Sequence, residues 1–410
     1  MDKGLFERVS KRIEDYKDEM IELQRKLVRT PAIAPESGGV GELEKSKIIE
    51  TMAKGLFDEV ETFRAPDDRV SCGYRPNIAA KIKGKDNERT IWIMSHMDVV
   101  PAGDEKKWTT NPFELTIKDG CLYGRGVEDN HLGIVSSIFA AKALKEEGVT
   151  PTFNMGTLFV SEEETGSKYG ARYLLDKHPN IFGPADLIII PDYGNKEGSI
   201  IEVAEKSILW LKVITQGKQA HASHPERGVN AHRAAAHLIC KMDQLYKKYS
   251  TENSVYEPPI NTFEATMKEK NISNFNAVPG EDITCFDCRM IPPLTIDEVL
   301  SVVKGYAREI EEEFKVKIDF EIPFRSDAAN PTPADSQIVR LIENAAKEIF
   351  NVKIKPIGIG GQTVATWFRN KGFHVAVYSR TLSNEHEPDE RCPISYMTDN
   401  TKLLAHVLMQ

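Results

Sequence analysis

The residues of this chain best suited to chemistry are histidines and carboxylates that follow apolar runs. In "IWIMSHMDVVP", residues 91–101, an apolar stretch leads to His96 and Asp98. Asp129 lies in "GRGVEDN", Glu162, Glu163 and Glu164 in "VSEEETGS", Asp192 in "IIIPDYG" and His386 in "SNEHEPDE". One histidine with one acid is readily explained by a satisfied buried imidazole or a capping carboxylate. A series of them at strand ends of one sheet is not, because crowded carboxylates and imidazoles repel and desolvate one another unless a cation neutralises them. Nitrogen and oxygen donors without thiolate suit Zn²⁺, with Co²⁺ or Mn²⁺ possible, better than Mg²⁺ or Ca²⁺. A catalytic zinc takes about three protein ligands. The supply therefore exceeds one ion and fits two, about 3.5–4 Å apart, if one carboxylate bridges them.

The consecutive glutamates add a second function. Glu163 and Glu164 project in different directions, so one can bind metal while the other takes a proton from a water acidified by it. Read alone, the acidic run is equally a solvated surface or a helix N-terminus, where acids are favoured.

These residues must be positioned by the elements between them. Strand-like runs occur at "PNIAAKIKG", "TIWIMSH", "FNMGTLFVSEEE" and "DLIIIPD", with helical stretches at 131–147 and 168–177. This alternation predicts an α/β fold with a mainly parallel sheet and helices on both faces, whose strand ends are where ligands bind. Asp119-Gly120 predicts a hairpin turn. Between 206 and 322 the order becomes β-α-β-β-α-β, a ferredoxin-like α+β unit. After it the first grammar resumes. We therefore expect a catalytic domain in two parts, residues 1–205 and 323–410, with a domain inserted at 206–322.

Composition bounds the function. A chain of 410 residues, 40% hydrophobic and 28% charged, suits two globular domains. The net charge of −9 argues against nucleic acid as a partner. No apolar run approaches the roughly 20 residues that span a bilayer, and the charged N-terminal segment is unlike a signal peptide, so a cytoplasmic protein without membrane contact is expected. The six cysteines are scattered, which fits reduced thiols. Cys285 and Cys288 form a C-x-x-C, but in a strand their spacing sends them to opposite faces.

Taken in order, "SHMDVVP", "LYGRGVEDN", "SEEETGS", the Asp after "LIII", the inserted domain and the late His resemble the di-zinc amidohydrolase and peptidase family of aminoacylase, acetylornithine deacetylase, succinyl-diaminopimelate desuccinylase and carboxypeptidase G. The resemblance spans nearly the whole chain. It implies two zinc ions per chain: His96 and Asp192 on one, Glu164 and His386 on the other, and Asp129 bridging both. It implies that Asp98 orients the His96 ring, that Glu163 is the general base, and that the peptide after Asp129 is cis. In "GKQAHASHPERGVNA" it points to His221, with His224 three residues on, as a group that reaches the site of a partner subunit, and hence to a homodimer. "NFNAVPGE" gives Asn276 as a second polar group at the scissile carbonyl, and "DCRMIPP" gives Arg289 as the group that binds a substrate carboxylate. Gly360, Gly361 and Thr363 in "GIGGQTVATWF" match the family's late substrate contacts, but the acid or serine that follows the threonine in several relatives is absent.

The implied activity is hydrolysis of an amide in a small molecule with a free carboxylate, of the succinyl-diaminopimelate desuccinylase or acetylornithine deacetylase type. A carboxypeptidase or dipeptidase would use the same apparatus. A noncatalytic binding protein of the same fold is the reading from another class.

Overall fold

Runs such as Ile91–Met94 and Leu187–Ile190 have no polar alternation, so their strands need cover on both faces. The computed structural model, which describes residues 2–410, supplies that cover. Eight strands lie side by side in the order Glu59–Pro66, Tyr74–Ile82, Phe153–Val160, Asp86–His96, Leu187–Asn195, His374–Arg380, Ile200–Glu205 and Lys355–Ile359. From Phe153–Val160 to His374–Arg380 neighbouring strands run parallel. The antiparallel pairs lie at the two flanks of these four strands and beyond them.

On one face Trp92, Met94, Leu158, Val160, Ile188 and Ile190 pack with Leu174 and Phe368, from the helices Ala171–Lys177 and Ala365–Asn370. The other face carries the helix His131–Glu146, which is buried almost all round because the helices Lys3–Asp15, Lys17–Val28 and Ile394–Met409 pack on its outer side. The expected helix at 168–177 begins instead at Ala171. Gly170, at φ −101° and ψ −117°, is not yet helical, and a Cβ there would sit 2.0 Å from the Ser161 carbonyl oxygen. Asp119 and Gly120, at φ 52° and 73°, form the expected hairpin turn.

The chain divides into two compact units, one of Met1–Val203, Thr332–Pro356 and Val364–Gln410, the other of Ala204–Pro331 and Ile357–Thr363. The second contains an antiparallel sheet in the order Thr262–Lys268, Glu281–Met290, Ser207–Gln216, Lys317–Ser326. The helices Ala231–Met242 and Ile296–Phe314 share a core with Leu209, Leu211, Val213, Phe286 and Cys288. Burial alternates strictly along Glu281–Met290, which leaves Cys285 on the face opposite Cys288.

In the large sheet Gly156 lies directly opposite Trp92, and a Cβ there would sit 2.3 Å from the indole ring. Gly156→Ala is expected to destabilise the first unit by about 1–3 kcal/mol, the usual cost of overpacking a closed core. An unchanged denaturant midpoint would show that the indole has room to move.

Candidate metal centre

The parallel strands end on one edge of the sheet, and the nominated ligands emerge there. His96 is the last residue of its strand, Glu163 and Glu164 follow Val160, Asp192 lies near the end of Leu187–Asn195, and the segment with His386 follows Arg380. Asp129 stands just before the helix His131–Glu146, and the Asp129–Asn130 peptide is cis.

His96 Nε2 lies 2.8 Å from Asp129 Oδ1 and 3.5 Å from Asp192 Oδ1. His386 Nε2 lies 3.2 Å from the other Asp129 oxygen, Oδ2, and 3.0 Å from Glu164 Oε2. The Asp129 carboxylate thus stands between the two imidazoles with one oxygen facing each. Potential ligand atoms of His96, Glu163 and Asp192 lie within 4.8 Å of one another, and so do those of His96, Asp129 and Glu164. Glu163 therefore lies inside a donor group.

A second layer fixes these positions. Asp98 is fully buried, its backbone carbonyl lies 3.0 Å from His96 Nδ1, and its two carboxylate oxygens accept the backbone N–H groups of Glu163 and Glu164 at 3.0 and 3.1 Å. One acid thereby aligns an imidazole and the turn that carries both glutamates. Asn130 donates from Nδ2 to Asp192 Oδ1 and to the Pro191 carbonyl. Glu162 bonds the backbone N–H of Tyr169 and the Thr165 hydroxyl, and so braces the turn from behind.

Two further glutamates were not nominated from sequence. Glu390, 0% exposed, accepts from the Arg125 guanidinium and the backbone N–H groups of Gly126, Glu128 and Asp129, at 2.8–3.1 Å. Glu128 in turn accepts from the Thr381 hydroxyl and the backbone N–H groups of Leu382 and Ser383. Each glutamate holds the loop of the other, and these loops carry Asp129 and His386. Glu128 directly precedes a nominated ligand and Glu390 closes the segment quoted for His386, but only the contacts across 262 residues of sequence reveal the pairing. Beneath them Lys45 Nζ lies 2.7 Å from His131 Nε2, both fully buried.

The electrostatics suit a cation. No described lysine or arginine lies within ion-pair distance of Asp129, Asp192, Glu163 or Glu164, whose only cationic neighbours are the imidazoles. Burial opposes the charge of Asp129, but His96 and His386 outweigh it and hold that carboxyl well below the usual range. Burial, then Asp129, pushes Glu164 up to about 7. Burial likewise pushes Glu163 well above the carboxylate range, with Asp192 and Glu164 adding to the push and His96 opposing it. Hydrogen bonds to Asp129 and Glu164 lift His386 to about 10. Imidazolium protons thus stand in for charge that a divalent ion would supply, and the oxygen and nitrogen donors fit such an ion.

The other nominated residues lie in the second unit. His221 pairs with Ala277 in a short antiparallel ladder, and the Ala222 N–H donates to the Asn276 carbonyl, so His221 and Asn276 are neighbours. His224 is exposed, 3.4 Å from Glu226. Arg289 is held side-on by Asp287, at 2.6 and 2.8 Å, and donates from Nη1 to the Gly360 carbonyl at 2.9 Å. Thr363 bonds Glu205, and no atom lies within 4 Å of where a Cβ on Gly360 or Gly361 would stand.

Comparison with known proteins agrees with this architecture. Over 96% of its length and 100% of the relative's, the chain is 37% identical to an uncharacterized metallohydrolase of Methanocaldococcus jannaschii. It is 24% identical to a succinyl-diaminopimelate desuccinylase of Gluconacetobacter diazotrophicus, covering 94% of this chain and 95% of that one. The aminopeptidase PepT of Bacillus cereus has the same fold, with a TM-score of 0.77 at 21% identity over 96% of this chain and 98% of that one. With the family model for Peptidase family M20/M25/M40 matching residues 92–410, from the strand that ends in His96 onward, the chain belongs to that family of metal-dependent hydrolases.

Proposed function

We propose that this protein is a zinc hydrolase that cleaves the amide of a small N-acyl amino acid, of the succinyl-diaminopimelate desuccinylase or acetylornithine deacetylase type. The observation that carries the reading is the Asp129 carboxylate, with one oxygen toward His96 and the other toward His386. In this reading His96, Asp192 and Asp129 would hold one zinc ion, and Asp129, Glu164 and His386 a second. Cobalt or manganese would fit the same donors. When bound, such ions lower the pKa of water to about 7 and polarise a carbonyl.

The chain's own groups do the rest. Asp98 aligns His96 and the glutamate turn. Glu163 is the general base: its carboxylate makes no hydrogen bond or ion pair among the described residues, whereas Glu164 is engaged by His386. Burial raises its affinity for a proton, which makes the ionised carboxylate a stronger base toward water and, once protonated, the group that returns the proton to the leaving nitrogen. His221 and Asn276 stabilise the oxyanion. Arg289 binds the substrate carboxylate through the N–H groups that Asp287 and Gly360 leave over. Gly361 and Thr363 line the far end of the substrate.

His221 acts on a partner subunit's site in a homodimer, a reading supported by its exposure and by the exposed Trp210, Met267, Ile322 and Phe324 of the same unit. Small-molecule chemistry in the cytoplasm, without nucleic acid or membrane, is supported by the acidic net charge, by six free cysteines, and by the lack of any described helix long and apolar enough to cross a membrane. A carboxypeptidase or dipeptidase is the second reading. The open space over Gly360 and Gly361 favours it, since a peptide backbone could lie there.

The test is elemental analysis of protein purified without chelator, with hydrolysis of N-succinyl-diaminopimelate, N-acetylornithine and a set of dipeptides before and after chelation. About two zinc ions per chain and activity restored by added zinc are expected. Fastest turnover of a dipeptide would replace the deacylase reading, and no metal with no turnover would bring the binding-protein reading forward. Glu163→Ala should keep its metal and lose about 10²–10⁴-fold in kcat; near-normal turnover would remove Glu163 as the base. His221→Ala should retain metal and lose about 10²-fold. Full activity in a monomer would rule out the shared site.

A further inference from the structure

His221 has one ring nitrogen whose role the structure determines. The backbone N–H of Ser223 points at Nδ1 from 3.2 Å, and the Ser223 hydroxyl lies 2.7 Å from the same atom. A backbone N–H can only donate, so Nδ1 is the acceptor and carries no proton. A neutral imidazole has one proton, which then sits on Nε2. The hydroxyl, free to rotate, supplies a second and shorter donor to Nδ1.

The surrounding backbone makes this arrangement a built one. The ladder of Ala220–His221 with Ala277–Val278 holds the residue on one side, and the His224 N–H closes a turn onto the His221 carbonyl at 2.9 Å. That turn brings Ser223 to the Nδ1 edge of the ring. Nothing in the short loop does the same for His224, whose Nδ1 faces the exposed Glu226 carboxylate at 3.4 Å.

We infer that Ser223 is a positioning residue whose backbone N–H holds Nδ1 of His221 as an acceptor, so that the ring presents Nε2–H as a fixed donor next to the segment of Asn276. This is the form that stabilises a developing oxyanion by donation from Nε2, and the backbone N–H held at Nδ1 also fixes the direction in which that donor points. The inference rests on the proposed role of His221 at the scissile carbonyl, but the tautomer itself does not. It also separates the two candidate histidines by a physical property, since only His221 has its outer nitrogen committed as a donor.

The test uses the full-length protein labelled with ¹⁵N-histidine, with the His221 signals identified by their loss in His221→Gln. Long-range ¹H–¹⁵N correlation should show Nδ1 unprotonated and Nε2 protonated in the wild type. In Ser223→Pro, which removes the backbone N–H, the Nδ1-protonated form should become visible and kcat should fall about fivefold, the worth of one ordinary hydrogen bond, with KM unchanged. Ser223→Ala, which keeps that N–H and loses only the hydroxyl, should keep the wild-type tautomer. A proton on Nδ1 in the wild type, a Ser223→Pro protein with the wild-type spectrum, or a changed tautomer in Ser223→Ala would overturn the proposal. If the tautomer responds as expected while kcat does not, the lock stands and the oxyanion role of His221 falls.

Discussion

The metal centre depends on two buried carboxylates that grip each other's loops. Glu390 takes the N–H groups of Gly126, Glu128 and Asp129, and Glu128 takes those of Leu382 and Ser383. Backbone amides can be satisfied in this way only if both loops are in place together. Loss of either glutamate would leave several buried donors unpaired, which is costlier than losing the bonds themselves. Asp129 and His386 therefore face each other because of acids that hold backbone and do not touch their side chains.

The same economy runs through the rest of the site. Asp98 accepts the N–H groups of both Glu163 and Glu164. Arg125 balances Glu390, and the Arg75 guanidinium pairs with the buried Glu42, whose carboxylate also accepts the Glu162 N–H. Lys45 faces the negative charge of Asp98, Glu42 and Glu390, with burial pulling it down to about 7. Around the ligands lies a shell in which most buried charges have a partner of opposite sign or several N–H donors. Among the described residues no lysine or arginine pairs with the carboxylates nominated as ligands, which leaves charge that an ion could satisfy.

In the second unit the polar groups are arranged for exposure. His221 lies on a short ladder whose partner strand Asn276 directly precedes, and Arg289 keeps part of its guanidinium open while Asp287 fixes its plane. If these groups meet a carbonyl and a carboxylate as proposed, rigid presentation serves them better than a flexible loop would, because less freedom is lost on binding.

How much of this could be read from sequence follows from the range of each interaction. Strand runs such as Ile91–Met94, the Asp119-Gly120 turn and the six-element order of the inserted domain are set by local periodicity and turn chemistry, and they stand in the structure as expected. The strand Glu59–Pro66 was missed because an edge strand with one wet face carries Glu59, Glu61 and Arg64 and has little apolar signal. The helix Ile394–Met409 was missed as well, since a helix buried nearly all round lacks the one-sided stripe that marks a surface helix. The histidines and acids nominated as ligands were legible by type and by their place after apolar runs, and the structure brings His96, Asp129, Glu163, Glu164, Asp192 and His386 together. What the sequence by itself determined was therefore the alternation of elements and the chemical kinds of donor. Only the tertiary structure decided that Asp129 stands between two imidazoles, that Glu128 and Glu390 hold the loops, and that Ser223 commits one nitrogen of His221. Those outcomes depend on hydrogen-bond directions and distances between segments far apart in the chain, or on the exact turn of a loop, and periodicity carries no record of either.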